Sequence, residues 1–241
     1  MMLKKLLIIL SIFCVLNFSL VSIEARAGGG SSGGGSGSSG GSSSTSHSHY
    51  DHTSQGGPYS SIISTVSFIG FTYFVLQVKR YYSRIKAKEA HWQLKKQMQT
   101  LDDQDEFWNN ERIKKAVKES YYKIQEAWSN QDIETLKKYL TPDLLDAWTT
   151  KLNWYEYQGK RNILKNIRLI EQDVINLYDS KNDDEDYFWV YIEGKMDDRM
   201  IDENQQVVEK NTGIFIEYWK FKRQGQSILL DEIKQEDEMF L

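Results

Sequence analysis

The sequence predicts an α+β domain, three helices followed by a curved antiparallel four-stranded sheet, standing behind a single transmembrane helix. Three observations predict it. Residues 59–78, YSSIISTVSFIGFTYFVLQV, carry no charge, and a helix of about 20 residues spans roughly 30 Å, the hydrocarbon thickness of a bilayer. From residue 105 to Gly159 apolar side chains recur at helical spacing. After Gly159 the period falls toward two, with branched and aromatic residues in runs parted by turn-like pieces.

The chain divides into five parts. Residues 1–27 have Lys4 and Lys5, an apolar run and Ala25-Arg26-Ala27, the layout of a secretory signal with an A-x-A cleavage site; an uncleaved anchor is the alternative. The only cysteine, Cys14, lies inside this run behind Phe13, where a lipoprotein signal needs a small residue, and it leaves no disulfide to form. Residues 28–58 are a disordered linker: 28–44 are glycine and serine alone, too poor in apolar surface to offset ordering entropy. His47, His49, Asp51 and His52 crowd together there, but no second cluster exists to close a four-ligand metal site, so they read as a solvated tail. Residues 59–78 are the span.

Residues 79–104 form a basic juxtamembrane helix. They lack Gly and Pro, and Lys79, Arg80, Arg84, Lys86 and Lys88 follow directly on the span. An excess of Lys and Arg beside a membrane segment marks its cytoplasmic side, so the carboxyl-terminal domain is expected in the cytoplasm and the Gly/Ser linker outside. These five cations are the candidate membrane-surface residues, held against anionic lipid. Tyr81, Tyr82, Ile85, Trp92, Leu94, Met98 and Leu101 give this helix only a ragged apolar stripe.

Residues 105–241 are the domain. The net charge of −4 hides a division: 10 Lys and Arg stand against 5 Asp and Glu up to Gln104, and 20 against 29 from Asp105 on. An acidic domain argues against nucleic-acid binding, which needs a basic face. Ile113, Val117, Tyr121, Ile124 and Trp128 line one face of a first helix over about 105–129, extended toward its start by Phe107. Asp132 caps a short second helix with Ile133, Leu136 and Leu140 inward. Thr141-Pro142-Asp143 starts a third, with Thr as cap, Pro at the first helical position and Asp at the positive dipole end. Leu145, Trp148, Leu152 and Tyr155 face inward until Gly159 stops it.

Four strands are expected over 163–178, 187–200, 213–223 and 227–234. In the second, Phe188, Val190 and Ile192 share one face and Trp189, Tyr191 and Glu193 the other; in the third, Ile214, Ile216 and Tyr218 oppose Phe215, Glu217 and Trp219. Both faces are partly apolar, so the sheet is expected to curve, packed by helices on one side and closing on itself on the other.

Ile124-Gln125-Glu126-Ala127-Trp128-Ser129-Asn130-Gln131-Asp132, then Leu140-Thr141-Pro142-Asp143-Leu144, Asn166-Ile167-Arg168-Leu169-Ile170, Glu217-Tyr218-Trp219-Lys220-Phe221-Lys222-Arg223 and Leu229-Leu230-Asp231-Glu232-Ile233-Lys234-Gln235-Glu236-Asp237-Glu238 resemble the Tim44-like domain in order and spacing. The resemblance covers residues 113–238, and the leading signal, Gly/Ser tract and span resemble the bacterial, membrane-anchored type. One departure is Ile228, where the family usually has a tryptophan. The resemblance implies the cone of the NTF2-like superfamily, a curved sheet about a long helix with a pocket at the open end. It also implies a tethering role, since mitochondrial relatives hold an import motor or a ribosome at the inner membrane.

The chemistry available is narrow. No histidine or cysteine follows Leu101, which removes Ser-His-Asp and zinc catalysis of the usual kinds, and no Gly-Lys-Ser/Thr phosphate loop occurs. Carboxylate and tyrosine chemistry in the pocket remains. The pocket candidates are Tyr191, Glu193, Glu217, Trp219 and Asp231, with Tyr218 beside them. The Asp-rich stretches 183–186 and 196–202 read as exposed turns, since neither fits the twelve-residue calcium loop. The expectation is a non-catalytic tether at the inner leaflet, without cofactor, its partners the lipid bilayer and a protein, peptide or lipid. The alternative is a small-molecule sensor or enzyme using the pocket.

Overall fold

α1 (Tyr59–Asp102) is one continuous helix of 44 residues, about 66 Å long at 1.5 Å per residue, so the apolar and basic stretches expected as two pieces form one rod. The computed structural model describes residues 59–236, 238 and 239, with side chains from Gly70 onward. The signal and linker expected over 1–58 lie outside the described residues, as do the side chains of 59–69 in the expected span. Among the described residues no helix is long and apolar enough to cross a membrane.

A turn at residues 103–105 leads to a 3-10 helix, Glu106–Trp108, and then to α2 (Asn110–Asn130). The helix expected over 105–129 therefore starts later. Asn109 takes the cap, its side chain accepting from Arg112 N at 3.1 Å, and the 3-10 turn lets Phe107 and Trp108 drop into the core, both nearly inaccessible. Ile113, Val117, Tyr121, Ile124 and Trp128 are all buried as their spacing predicts. α3 (Ile133–Leu136) is capped by Asp132, which accepts from Thr135 N at 3.0 Å. α4 (Pro142–Tyr157) buries Trp148, Leu152 and Tyr155. Its cap differs from expectation: Thr141 makes no side-chain capping bond, and instead its backbone N–H donates to Leu230 O at 2.9 Å. The helix is thereby tied to the last strand. Gly159, at φ 66°, turns the chain away.

The strands are β1 (Arg161–Tyr178), β2 (Tyr187–Ile201), β3 (Val207–Asn211), β4 (Ile214–Gln224) and β5 (Ser227–Gln235). Their order is β1-β2-β4-β5, all antiparallel, with β3 pairing off the far end of β2. β3 was not expected. Its adjacent Val207 and Val208 do not alternate, and both are exposed; the hairpin is closed by Asp202, whose Oδ1 accepts from Asn204 N and Gln206 N. The stretch 196–202, read as an exposed turn, is strand through Ile201 with Met196, Asp198 and Met200 buried. The sheet curves through three register shifts between β1 and β2, one of them beside Asn166 at φ 53°.

The inner face of the sheet (Phe188, Val190, Ile192, Trp219, Phe221) packs on α2 and α4 in the main core. Trp128 sits at its centre, edge-on to Trp148 at 5.1 Å. Its indole N–H donates to Asn162 Oδ1 at 2.8 Å, and Asn162 donates in turn to Asp198 Oδ1 at 2.7 Å. Ile228, which stands in place of the family's tryptophan, is buried in the same core. The outer face does not close on itself. A second core of Trp189, Tyr191, Ile216, Tyr218 and Ile175 is covered by Ala87 and Ala90 of α1, because two small side chains let the helix lie close over large rings.

Candidate functional site

Two of the sequence-predicted pocket residues, Tyr191 and Glu193, meet the basic residues of α1 at its contact with the outer face of the sheet. Along an antiparallel ladder, directly paired residues point to one side. Glu193 pairs with Glu171 and with Ile216, and Tyr191 with Asp173 and Tyr218, so these face α1. The Glu193 side chain is fully buried. It is held by Arg84, whose Nε and Nη2 donate at 3.0 and 2.8 Å, by Tyr191 Oη donating at 3.0 Å, and by Arg80 Nε at 3.7 Å. The hydrogen bond to Glu193 holds the Arg84 guanidinium above its ordinary pKa. Burial, followed by the Glu193 charge, pushes the Tyr191 phenol upward, and burial pushes Tyr218 up to about 12. Both phenols are neutral, and Tyr191 donates to Glu193.

All five basic residues read as membrane-facing meet groups of their own chain. Besides Arg80 and Arg84, Lys79 reaches Glu236 at 3.0 Å and Lys88 reaches Glu171 at 3.5 Å, while Lys86 lies 5.4 Å over the ring of Tyr82. Ser83 Oγ also donates to Glu236. Further along, His91 Nδ1–H donates to Val174 O at 3.0 Å and Met98 enters the main core. The docked stripe is thus Ser83, Arg84, Ala87, Ala90/His91, Leu94, Met98 and Leu101, a helical face of small, polar and aliphatic residues. Tyr81, Tyr82, Ile85 and Trp92, part of the apolar stripe expected from sequence, point away from the domain and are exposed. A buried Met contributes about 1.5–3 kcal/mol and a charge-assisted hydrogen bond about the same, so polar and apolar contacts contribute comparably to the docking.

The five pocket candidates do not share one pocket. Glu217 and Trp219 lie on the inner face, where Trp219 Nε1–H donates to Glu217 Oε2 at 3.0 Å and both are fully buried. Tyr191 and Glu193 lie on the opposite face. Asp231 lies apart from both pairs, on Lys220 at 3.1 Å and Lys222 at 2.9 Å; burial alone would raise its pKa, but the two lysines outweigh this and hold it below the usual carboxylate value. The strand period separates 191/193 from 217/219, and α1 fills the space above Glu193.

A cleft of about 210 Å³ opens elsewhere, between α1 and the start of α2, lined by His91, Lys95, Met98, Asp102, Trp108 and Asn109 among others. None of the five candidates borders it. Beyond it Asp173 is nearly inaccessible; burial raises its pKa, Lys114 approaches only to 3.8 Å, and its Oδ2 accepts no hydrogen bond. A second charged centre is Arg223, which contacts Asp105, Asp183 (3.0 Å) and Asp186 (3.2 Å) and lies 4.3 Å over the ring of Phe107. It ties the turn after α1 to the β1–β2 connection. Asp186, read as part of an exposed turn, is fully buried there. Among the described residues no group of three His, Cys, Asp or Glu side chains is placed to hold a metal ion.

The Tim44-like domain family model matches residues 94–237, more than half the chain, and the chain belongs to this family. The match begins at Leu94, inside α1. Among solved structures, the intermembrane space region of the chloroplast protein ARC6 is similar at 12% identity and a TM-score of 0.41, over 53% of this chain and 95% of that one. The putative transfer protein TraH from the Gram-positive conjugative plasmid pIP501 is similar at 14% identity and a TM-score of 0.31, over 55% and 95%. No curated protein matches the chain. Tim44-like domains are in general binding modules rather than catalysts, and the α+β order of helices followed by a curved antiparallel sheet fits the NTF2-like type.

Proposed function

We propose that the chain is a single-pass membrane tether: a span at 59–78, a domain held at the inner leaflet to bind a protein, peptide or lipid partner, and the Gly/Ser tract outside. The observation that supports this most is the continuity of α1. One rigid helix carries exposed Phe71, Phe74, Val75, Leu76 and Val78 at one end and is docked on the sheet from Ser83 to Leu101 at the other. An anchor entering the bilayer at residue 78 fixes the domain at a set distance and orientation, as a tether requires. The cations at 79–88 favour the cytoplasmic side. A catalytic reading has less support, because Glu193, the most buried acid on the outer face, is saturated by Arg84, Arg80 and Tyr191.

The test uses the full chain tagged at its carboxyl terminus. The tether predicts resistance to alkaline extraction, a tag protected from protease added outside intact cells, and crosslinked protein partners that are lost when 59–78 are deleted. Release into the alkaline supernatant overturns the anchor. Partners that persist without the span overturn the tether.

A further inference from the structure

We propose that α1 pairs with the α1 of a second copy of this chain, parallel and in register, along the face it turns away from its own sheet; the parallel direction rests on the anchored reading above. Phe71, Phe74, Val78, Tyr81, Ile85 and Trp92 follow one another at steps of three, four, three, four and seven residues. That is the 3.5-residue spacing of a seam between two helices, narrower than the stripe of a helix lying on a core. All six are exposed, from 42% at Ile85 to 76% at Trp92. At about 100° per residue they lie on the side of α1 opposite Ala87, Ala90, Leu94 and Met98, which pack on the sheet and the core. One face of α1 is covered by its own chain, and the opposite face is apolar and bare among the described residues.

Lipid does not cover the whole of that face. Because α1 is one continuous rod, a helix leaving hydrocarbon at Val78 carries Trp92 about 21 Å further along its axis. The headgroup layer adds only about 5–8 Å per leaflet, so Trp92 stands beyond it even at a tilt of about 40°. The mate must therefore run beside residues 71–92, apolar within the membrane and outside it, and a second α1 carries that same stripe and enters from the same side. Charge fits as well. Glu89, the one acid in residues 59–101, is exposed beside the stripe with no cation at ion-pair distance among the described residues. Across a two-fold seam each flank of one helix faces the opposite flank of the other, which turns Glu89 toward Lys88 of the second copy, a side chain 57% exposed and only 3.5 Å from its own Glu171. The exposed parts of Phe71, Phe74, Tyr81 and Trp92 alone come to roughly 500 Å² at about 200 Å² per aromatic side chain, most of the ~800 Å² that a stable interface takes from each partner.

The test places single cysteines in the full chain, Ile85→Cys, Trp92→Cys or Lys86→Cys, each with Cys14→Ser, and oxidises isolated membranes with copper phenanthroline. All three sites are exposed, so the fold is not disturbed. Non-reducing gels and mass spectrometry read the disulfides, and alkaline extraction of the same membranes reads the anchor. Ile85→Cys and Trp92→Cys are expected to form same-residue homodimers, which only parallel helices in register allow at both positions. Lys86→Cys, a quarter turn away, should give roughly tenfold less, because a disulfide needs its Cβ atoms within about 4.5 Å. Equal yields at all three positions, or none, overturn the pairing while resistance to alkali leaves the anchor standing. Homodimers at only one of positions 85 and 92 overturn the parallel register. Disulfides to other proteins alone overturn a second copy as the occupant. Release by alkali with both homodimers intact overturns the anchor and upholds the pairing.

Discussion

Replacing Arg84 with methionine leaves Glu193 buried without its bidentate partner. Breaking a buried pair in this way costs about 3–5 kcal/mol. Here the side chain of Arg84 is 32% exposed and Arg80 remains at 3.7 Å, so screening and partial replacement bring the expected loss to about 2–3 kcal/mol. Glu193→Gln in the same background removes the stranded charge and recovers part of that loss. The Arg84/Glu193 double-mutant cycle should give a coupling of about 1.5–3 kcal/mol, the worth of a charge-assisted hydrogen bond. Lys88→Met, whose partner Glu171 is on the rim and whose own side chain is 57% exposed, should change stability by less than about 1 kcal/mol. Urea denaturation of the full chain in neutral detergent, followed by tryptophan fluorescence, measures all four variants, and hydrogen exchange over residues 83–101 shows whether α1 loosens first. A coupling below about 0.5 kcal/mol, or exchange in α1 unchanged by Arg84→Met, refutes the view that this pair docks the helix.

Gly194→Ala puts a Cβ about 2.5 Å from Phe215 Cζ and Tyr121 Oη; the overpacking should cost about 1–3 kcal/mol and weaken the bond from Tyr121 Oη to Arg168 O, visible as a lower urea midpoint. Asp173→Asn should stabilise the chain at neutral pH by about 1 kcal/mol, because a charged, underpaired carboxylate is costly to bury. Its folded pKa is raised above the ordinary 3.8, so the native aspartate costs stability above the folded value and that cost fades as pH falls through it. The advantage of the Asn variant should therefore shrink in thermal melts run from neutral toward pH 3.8, and a gain that grows in acid contradicts the assignment. Arg223→Met should lose about 3–5 kcal/mol, with Arg223→Lys recovering only part, since a lysine cannot fork between Asp105, Asp183 and Asp186; full rescue by lysine in the same denaturation assay sinks that reading.

The helices were legible because Ile113 to Trp128 keep one face and Asp132 and Pro142 mark starts, and β2 and β4 because large residues alternate on both faces. Less legible was what covers each face. Alternation separates Tyr191 and Glu193 from Glu217 and Trp219, but it cannot say that a helix from before the domain lies on the first pair. That helix docks through Ala87, Ala90, Arg84 and His91, residues a hydrophobic periodicity passes over, while its conspicuous aromatics Tyr81, Tyr82 and Trp92 face outward. The available signal was the spacing of Arg80, Arg84 and Lys88 on one helical face, opposite an acidic pair in neighbouring strands. β3 escaped because its five residues, four of them exposed, show no alternation and so carry no strand pattern.

The central claim, that α1 lies on the sheet through ion pairs rather than standing free of it, is tested most directly by zero-length carbodiimide crosslinking of the full chain. The account predicts intramolecular links between Lys88 and Glu171 and between Lys79 and Glu236, with Lys220–Asp231, an ion pair within the sheet at 3.1 Å, as the internal standard. Formation of the Lys220–Asp231 link while Lys79 and Lys88 join only other molecules, or remain unlinked, contradicts it.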